Sequence, residues 1–240
     1  MIKKTRIAWP TVLVQAATII SSILLAFAVD AWWASRLARD KERTHLEALQ
    51  RDFEVARGRL DDSLSTAHTG HDQSLDLFLA LDQNRLAELG RDVFVKVRDA
   101  TGYEVYSAPN GAWATMVSSG ELRLLRSVPL QLALADLYGG LEDLRVSERQ
   151  LLELVLRFQC SELYAAKIGA PDVGYSLLNP DAELGPAILA RIKSWRGDRV
   201  LGNWLAMLAM NHGSVGDDYE FLSDRVDRIL ELLEIELRRF

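Results

Sequence analysis

Between Ala8 and Val29 the chain carries no charged side chain, and Val12, Leu13, Val14, Ile19, Ile20, Ile23, Leu24, Leu25 and Phe27 make the stretch strongly apolar. As a helix rising about 1.5 Å per residue, it matches the roughly 30 Å hydrocarbon thickness of a bilayer. Its ends carry their own marks. Trp9 stands at one and Trp32 with Trp33 at the other, where amphipathic rings favour the headgroup zone, and Asp30 is the first charge after the run. Lys3, Lys4 and Arg6 precede it, and Pro10 suits the first turn of a helix. The competing reading is a cleaved leader, since Ala26-Phe27-Ala28 has the small-x-small form of a cleavage site. Against it, the run exceeds the roughly 7–15 apolar residues of a usual leader and passes unbroken into a charged helix. A retained membrane-spanning helix over 8–29 is therefore expected, with 1–7 as a basic tail. Basic residues are nearly balanced across the span, with Arg36, Arg39, Lys41 and Arg43 mixed among acids on the far side. The undiluted N-terminal cluster favours a cytoplasmic N-terminus and an extracytoplasmic domain.

Within the span, Ala17 with Ser21 and Ser22 with Ala26 form small-xxx-small pairs, and Gln15 offers a hydrogen bond across an interface. These five residues form the candidate helix-packing face. The bland alternative is that Ala and Ser are common in membrane helices and that Gln15 reaches the headgroups.

The chain has 240 residues, 49% of them apolar, enough for one medium-sized domain beyond the span. A net charge of -6, with basic and acidic residues interleaved, argues against a nucleic-acid partner. Cys160 is the only cysteine, which excludes an intrachain disulfide and a cysteine-based zinc site.

From Asp30 to about Asn84 there is no proline, and Leu46, Leu49, Phe53, Ala56 and Leu60 recur at the 3-4 spacing of a helical seam. A stalk helix over 30–84 follows. Beyond Leu60 the apolar residues step to Leu64, Ala67, His71, Leu75 and Phe78, which predicts a stutter there, with Gly58 and Gly70 as weak points. The seam can face a second chain or the domain's own later helices, and the latter is preferred.

Residues 85–240 read as a helical bundle packed on the stalk. Asp92–Arg98 reads as helix despite its alternation, since nothing would complete a sheet. A helix starts near Ser107–Asn110 and ends at Gly120; another starts at Ser127 with Pro129 in its first turn and runs towards Lys167, with Gly139-Gly140 as a weak point. Gly169–Asp181 is the strongest loop signal. Helices are expected over about 184–195 and 198–210, then a break at Gly213–Gly216 and a last helix with Leu222, Val226, Ile229, Leu233 and Leu237 on one stripe. The fold class is all-α: one N-terminal transmembrane helix, a long stalk helix and a water-facing helical bundle.

The sequence presents no reactive constellation. His68 and His71 share a helix face beside Asp72, but two ligands do not make a metal site. Cys160, between Leu156 and Leu163, reads as a buried small hydrophobe. Ser118-Ser119-Gly120 lacks the strand-turn-helix setting of a nucleophile elbow, no phosphate-binding glycine loop is present, and Asp217, Asp218 and Glu220 suit the first turn of a helix. No cofactor, metal or enzymatic activity is expected.

Ile23-Leu-Leu-Ala-Phe-Ala-Val-Asp30-Ala-Trp32 leading into a charged helix, with Trp113, Ser119-Gly120-Glu-Leu-Arg-Leu-Leu125 and Leu134-Ala-Asp-Leu-Tyr138 downstream, resembles a family of small bacterial single-pass membrane proteins of unknown function. The resemblance covers roughly residues 10–140. Gln15 and Ser22 stand where that family often has Glu and Gly. It implies architecture and bacterial origin only, and no activity; with the expected span, the location expected is a bacterial inner membrane. The expected partners are the lipid bilayer and either a protein partner or further copies of the chain, so the chain reads as an anchored interaction or scaffold protein. A membrane-tethered sensor with an apolar pocket lined by Trp113, Tyr138, Trp195 and Trp204 is the alternative.

Overall fold

The computed structural model describes residues 9–168 and 186–240, with side chains at 15, 17–168 and 186–240; the basic tail 1–7, the Trp9 ring and the expected loop Gly169–Asp181 lie outside them. Regular structure among the described residues is all helical. Helix α1 runs without interruption over Trp9–Asp82. It is followed by α2 (Leu86–Leu89), α3 (Asp92–Ala100), α4 (Gly111–Ser119), a 3-10 turn over Glu121–Leu124, and α5 (Val128–Gln159). The chain then forms α6 (Glu162–Lys167), α7 (Pro186–Lys193) and α8 (Arg199–Leu237).

Cross-contacts give the chain path. Lys96 reaches Gln73 and Asp76, Arg59 reaches the Ser107 carbonyl, the Ala112 amide donates to Asp52, and Lys41 pairs with Glu121. The segment from α3 to the 3-10 turn therefore descends along α1 towards the apolar end. Helix α5 climbs again, and α8 returns antiparallel to it, with Trp204 beside Phe158, Tyr219 on Glu148 and Arg225 on Asp136. Helix α8 also lies antiparallel on α1: Gly202 faces Leu81, Gly216 faces Ala67, and Arg57 pairs with Asp227.

What holds these helices in register is a seam of alternating 3-4 spacing on each. On α1 the seam runs through the buried residues Glu42, Leu46, Leu49, Phe53, Ala56, Leu60, Ser63, Ala67, Gly70, Ser74, Leu77 and Leu81, with Ala80 buried beside it. The expected stutter after Leu60 is absent. Leu64 is only half-buried and Leu75 is exposed; the seam passes instead through Ser63, Gly70 and Ser74, residues that a search for apolar side chains skips. Helix α5 buries Leu130, Leu134, Leu137, Leu141, Leu144, Glu148, Leu151, Val155 and Phe158 in the same rhythm. On α8 the row is Leu201, Leu205, Leu208, His212, Val215, Tyr219, Leu222, Val226, Ile229 and Leu233. A second buried row, Gly202, Ala209, Gly216 and Ser223, recurs every seventh residue along α8. Sustained 3-4 spacing keeps one stripe facing its neighbours over many turns.

The small residues in these rows are places of close approach. A Cβ on Gly70 would overlap the His212 ring, on Gly213 it would lie 3.2 Å from His71, and on Gly216 3.4 Å from His68. This corrects the expected break at Gly213–Gly216. Helix α8 continues through both glycines, and the two helices expected on either side of the break are one. Packing against α1 outweighs the roughly 1 kcal/mol helix penalty of each glycine. Gly139 and Gly140 likewise leave α5 unbroken, whereas that helix stops at Gln159 and Ser161 starts α6 by accepting the Tyr164 amide. Gly120 ends α4 at φ 71, the left-handed backbone conformation that favours glycine.

A paired substitution tests the close approach. Gly70→Ala should lower stability by about 1–3 kcal/mol through overpacking against His212. Gly58→Ala, with open space around its Cβ, should raise it by about 0.5–1 kcal/mol. Thermal unfolding followed by circular dichroism reads both; equal effects would mean that α1 and α8 do not meet at Gly70.

Candidate functional site

Two regions depart from an ordinary helical core. The first is the N-terminal part of α1. An 18-residue window there has mean hydropathy 1.6 and none of it is buried. Ile20, Leu24, Leu25 and Phe27 are 57–67% exposed, an apolar stretch that the rest of the chain leaves uncovered. Together with its length this makes the segment a candidate membrane span. Gln15, Ala17, Ser21, Ser22 and Ala26 are all exposed on it. Ser22 donates its hydroxyl to the Thr18 carbonyl at 2.8 Å, so that polar group is satisfied within the helix. Ala17, Thr18, Ser21, Ser22 and Leu25 line a shallow groove of about 430 Å³. Trp32 and Trp33 are exposed with ring centres 6.2 Å apart, and Arg36 lies over the Trp32 ring. Asp30 is exposed.

By contrast, Leu46, Leu49, Phe53, Ala56 and Leu60 are 1–2% exposed within the single chain. Their partners are the chain's own later elements. This face is not on offer to a second copy.

The second region is a buried polar network. Residues 102–110 join α3 to α4 as non-helical chain, and backbone polar groups in such a segment require partners. They come from other elements. Glu148 accepts the Tyr106 amide at 2.7 Å, the Tyr219 hydroxyl lies 3.0 Å from the Glu104 carbonyl, and Arg59 donates to the Ser107 carbonyl at 3.0 Å. At the ends of the segment, His212 Nε2 donates to the Ala100 carbonyl at 3.0 Å, and Asp52 accepts the Ala112 amide at 2.8 Å. Lower down, Glu42 accepts the Arg126 amide at 2.8 Å and fixes the approach to α5. Glu42, Glu148 and His212 are each no more than 5% exposed. They are the site residues that the apolar pattern alone misses, although each sits at a seam position of its helix.

Burial pushes the Glu148 carboxyl above its ordinary value and the His212 imidazole below its own. Tyr219 Oη lies 2.8 Å from Glu148 and 3.0 Å from the Glu104 carbonyl, yet has one proton. Tyr219 donates its hydroxyl to Glu148, and a carboxylate there draws that one hydrogen bond away from the Glu104 carbonyl. Tyr106, edge-on to Tyr219, is pushed up to about 12 by burial.

The remaining candidates stay apart. His71 Nδ1 donates to the Ala209 carbonyl at 2.8 Å, while His68 reaches Glu220 at 3.4 Å on the surface. Among the described residues no three His, Cys, Asp or Glu side chains are grouped to hold a metal ion. Cys160 is exposed, a correction: it falls just past the last seam residue of α5, Phe158. The aromatic residues divide into separate pairs, Trp113 stacked on Tyr138 at 4.7 Å, Trp195 edge-on to Phe94 and Trp204 against Phe158. No known protein family, curated protein or solved structure matches the chain.

The raised Glu148 value gives a pH signature. A carboxyl held above its unfolded value of about 4.5 contributes most below that pH, and the contribution is lost as pH rises through the folded value. Glu148→Gln, a neutral mimic, should match the parent near pH 4.5 and exceed its stability by about 1 kcal/mol at pH 7.5. His212 destabilises both proteins as pH falls below 6.5, so it cancels in the comparison. Chemical denaturation at the two pH values is the check, and a gap that does not widen towards pH 7.5 would contradict the network.

Proposed function

We propose that the chain is a single-pass membrane-anchored interaction protein that holds a helical domain at the surface of a bacterial inner membrane, as a self-associating scaffold or an accessory subunit of a membrane complex. The observation that carries this is the contrast along α1: its first part is apolar and uncovered, and its second part is fully used by the domain's own seam. Residues 9–29 form the span, Trp32 and Trp33 sit at the interface, and 30–82 join the span rigidly to the domain. With the Leu46–Leu60 face occupied inside the chain, association with a partner helix runs through Gln15, Ala17, Ser21, Ser22 and Ala26. Close approach of backbones at small residues, with a polar side chain to bridge, is how helices associate in lipid. The resemblance to bacterial single-pass proteins points the same way.

Photo-crosslinking of the full-length protein in its native membrane tests this. Probes at Ala17 or Ser21 should capture a partner or a second copy, and probes at Phe53 or Leu60 should not. Capture confined to the seam positions would contradict the proposal. The domain is placed on the extracytoplasmic side, and the single exposed thiol reports on it. A membrane-impermeant maleimide should label Cys160 in intact spheroplasts. Labelling only after lysis would reverse the orientation.

A further inference from the structure

The base of the domain, where α1 leaves it, holds a cleft of about 770 Å³ between α1, the chain before α5 and the end of α8. Its cationic lining is Arg36, Arg39, Arg126 and Arg239. Arg126 is neutralised by Glu42 at 3.4 Å and Arg239 by Glu236 at 2.7 Å. Among the described residues, Arg36 and Arg39 have no carboxylate within ion-pair distance, and Asp40 is the one lining acid without an ion pair. A local excess of positive charge thus sits on a chain whose net charge is -6.

The position of this excess is specific. Trp32, one helical turn before Arg36, lines the same cleft, and Arg36 is held over its ring at 5.8 Å from the centroid. Tryptophan at the end of an apolar run sits at headgroup depth, and one turn of helix is about 5.4 Å. Arg36 therefore stands about 6 Å and Arg39 about 10 Å beyond Trp32 along α1, three apart on one helix face, and both side chains are long enough to reach the level of lipid phosphates. Phe240, which lines the cleft, is 48% exposed, and Leu37, next to Arg36 in the chain, is 53% exposed. Apolar side chains beside cations suit a surface that rests on headgroups.

Resting on the membrane reading proposed for α1, we infer that this cleft is a binding site for the phosphate of an anionic phospholipid, with Arg36 and Arg39 as its charged ligands and Trp32 packing beside the headgroup. Arginine's planar fork of donors suits phosphate oxygens. The site ties the domain's base to the bilayer and so fixes the tilt of α1 where it emerges.

The full-length protein in uncharged detergent micelles is titrated with short-chain phosphatidylglycerol, short-chain phosphatidylcholine or inorganic phosphate, and bound adducts are counted by native mass spectrometry. Phosphatidylglycerol should bind at least tenfold more tightly than phosphatidylcholine, and Arg36→Gln with Arg39→Gln should weaken it about thirtyfold, roughly fivefold per charge. Both side chains are exposed, so the variant should keep its melting temperature, which is measured alongside. Equal binding of the two lipids, or undiminished phosphatidylglycerol binding by the variant, would overturn the site. Inorganic phosphate competing at the same concentration would make it a free-anion site and overturn the lipid assignment. Flotation with purely phosphatidylcholine vesicles separates the two readings. Failure to float would sink the membrane anchor itself, while flotation without headgroup preference would sink only the cleft.

Discussion

The α1 seam closed by α8 of the same chain has to accommodate a non-helical stretch in a bundle of long helices. Three helices, α1, α5 and α8, carry seams of continuous 3-4 spacing, and the fourth place is filled by α3, an extended segment, α4 and a 3-10 turn. Extended chain against a helical core brings amides and carbonyls with no partners of their own. An unpartnered buried polar group costs about 1–3 kcal/mol, so such a segment is tolerable only if the facing helices supply partners. They do so from within their seams, by Glu148 and Tyr219 for 104–106 and His212 for the end of α3. Polar residues at seam positions also fix register, because any slip along the helix leaves them unpaired.

Close packing of α1 on α8 is the second half of the same solution. His212 can reach the Ala100 carbonyl only because Gly70 leaves room for its ring. Ser63, Ala67, Gly70 and Ser74 on α1 face Ala209, Gly216 and Ser223 on α8 as a mid-bundle stretch of small residues, with larger aliphatic residues towards both ends. The narrow waist brings the polar network within hydrogen-bonding distance. It also holds α1 against the domain from Glu42 to Leu81.

Much of this is legible in the sequence. The charge-free run, the unbroken helix to about residue 82, the helix over 92–100 and the left-handed end at Gly120 follow from composition, spacing and capping. Where expectation and structure part, it is chiefly because apolar residues alone do not trace the seam. Passing over Ser63, Gly70 and Ser74 produces a false stutter, and Gly213 and Gly216 look like breakers when they are contact points. Glu42, Glu148 and His212 look like surface residues unless the spacing of four and three is carried through them. Cys160 errs in the opposite direction: apolar neighbours in sequence suggest burial, but the helix ends before the seam would reach it. No local signal tells which buried polar group faces which orphan amide, because those partners lie 42 to 115 residues apart in the chain.

The claim on which the rest stands is that the α1 seam is closed by α8 of the same chain. A Cβ built on Gly216 would lie 3.9 Å from that of Ala67, within the span a disulfide bridges. With Cys160→Ser to remove the native thiol, the full-length protein bearing Ala67→Cys and Gly216→Cys is oxidised in its membrane and run on a non-reducing gel. Closure within one chain predicts a monomer of altered mobility that reverts on reduction, with no adduct of twice the mass. Disulfide-linked dimers in place of that monomer would show that the seam belongs to two chains and would contradict a bundle closed within one.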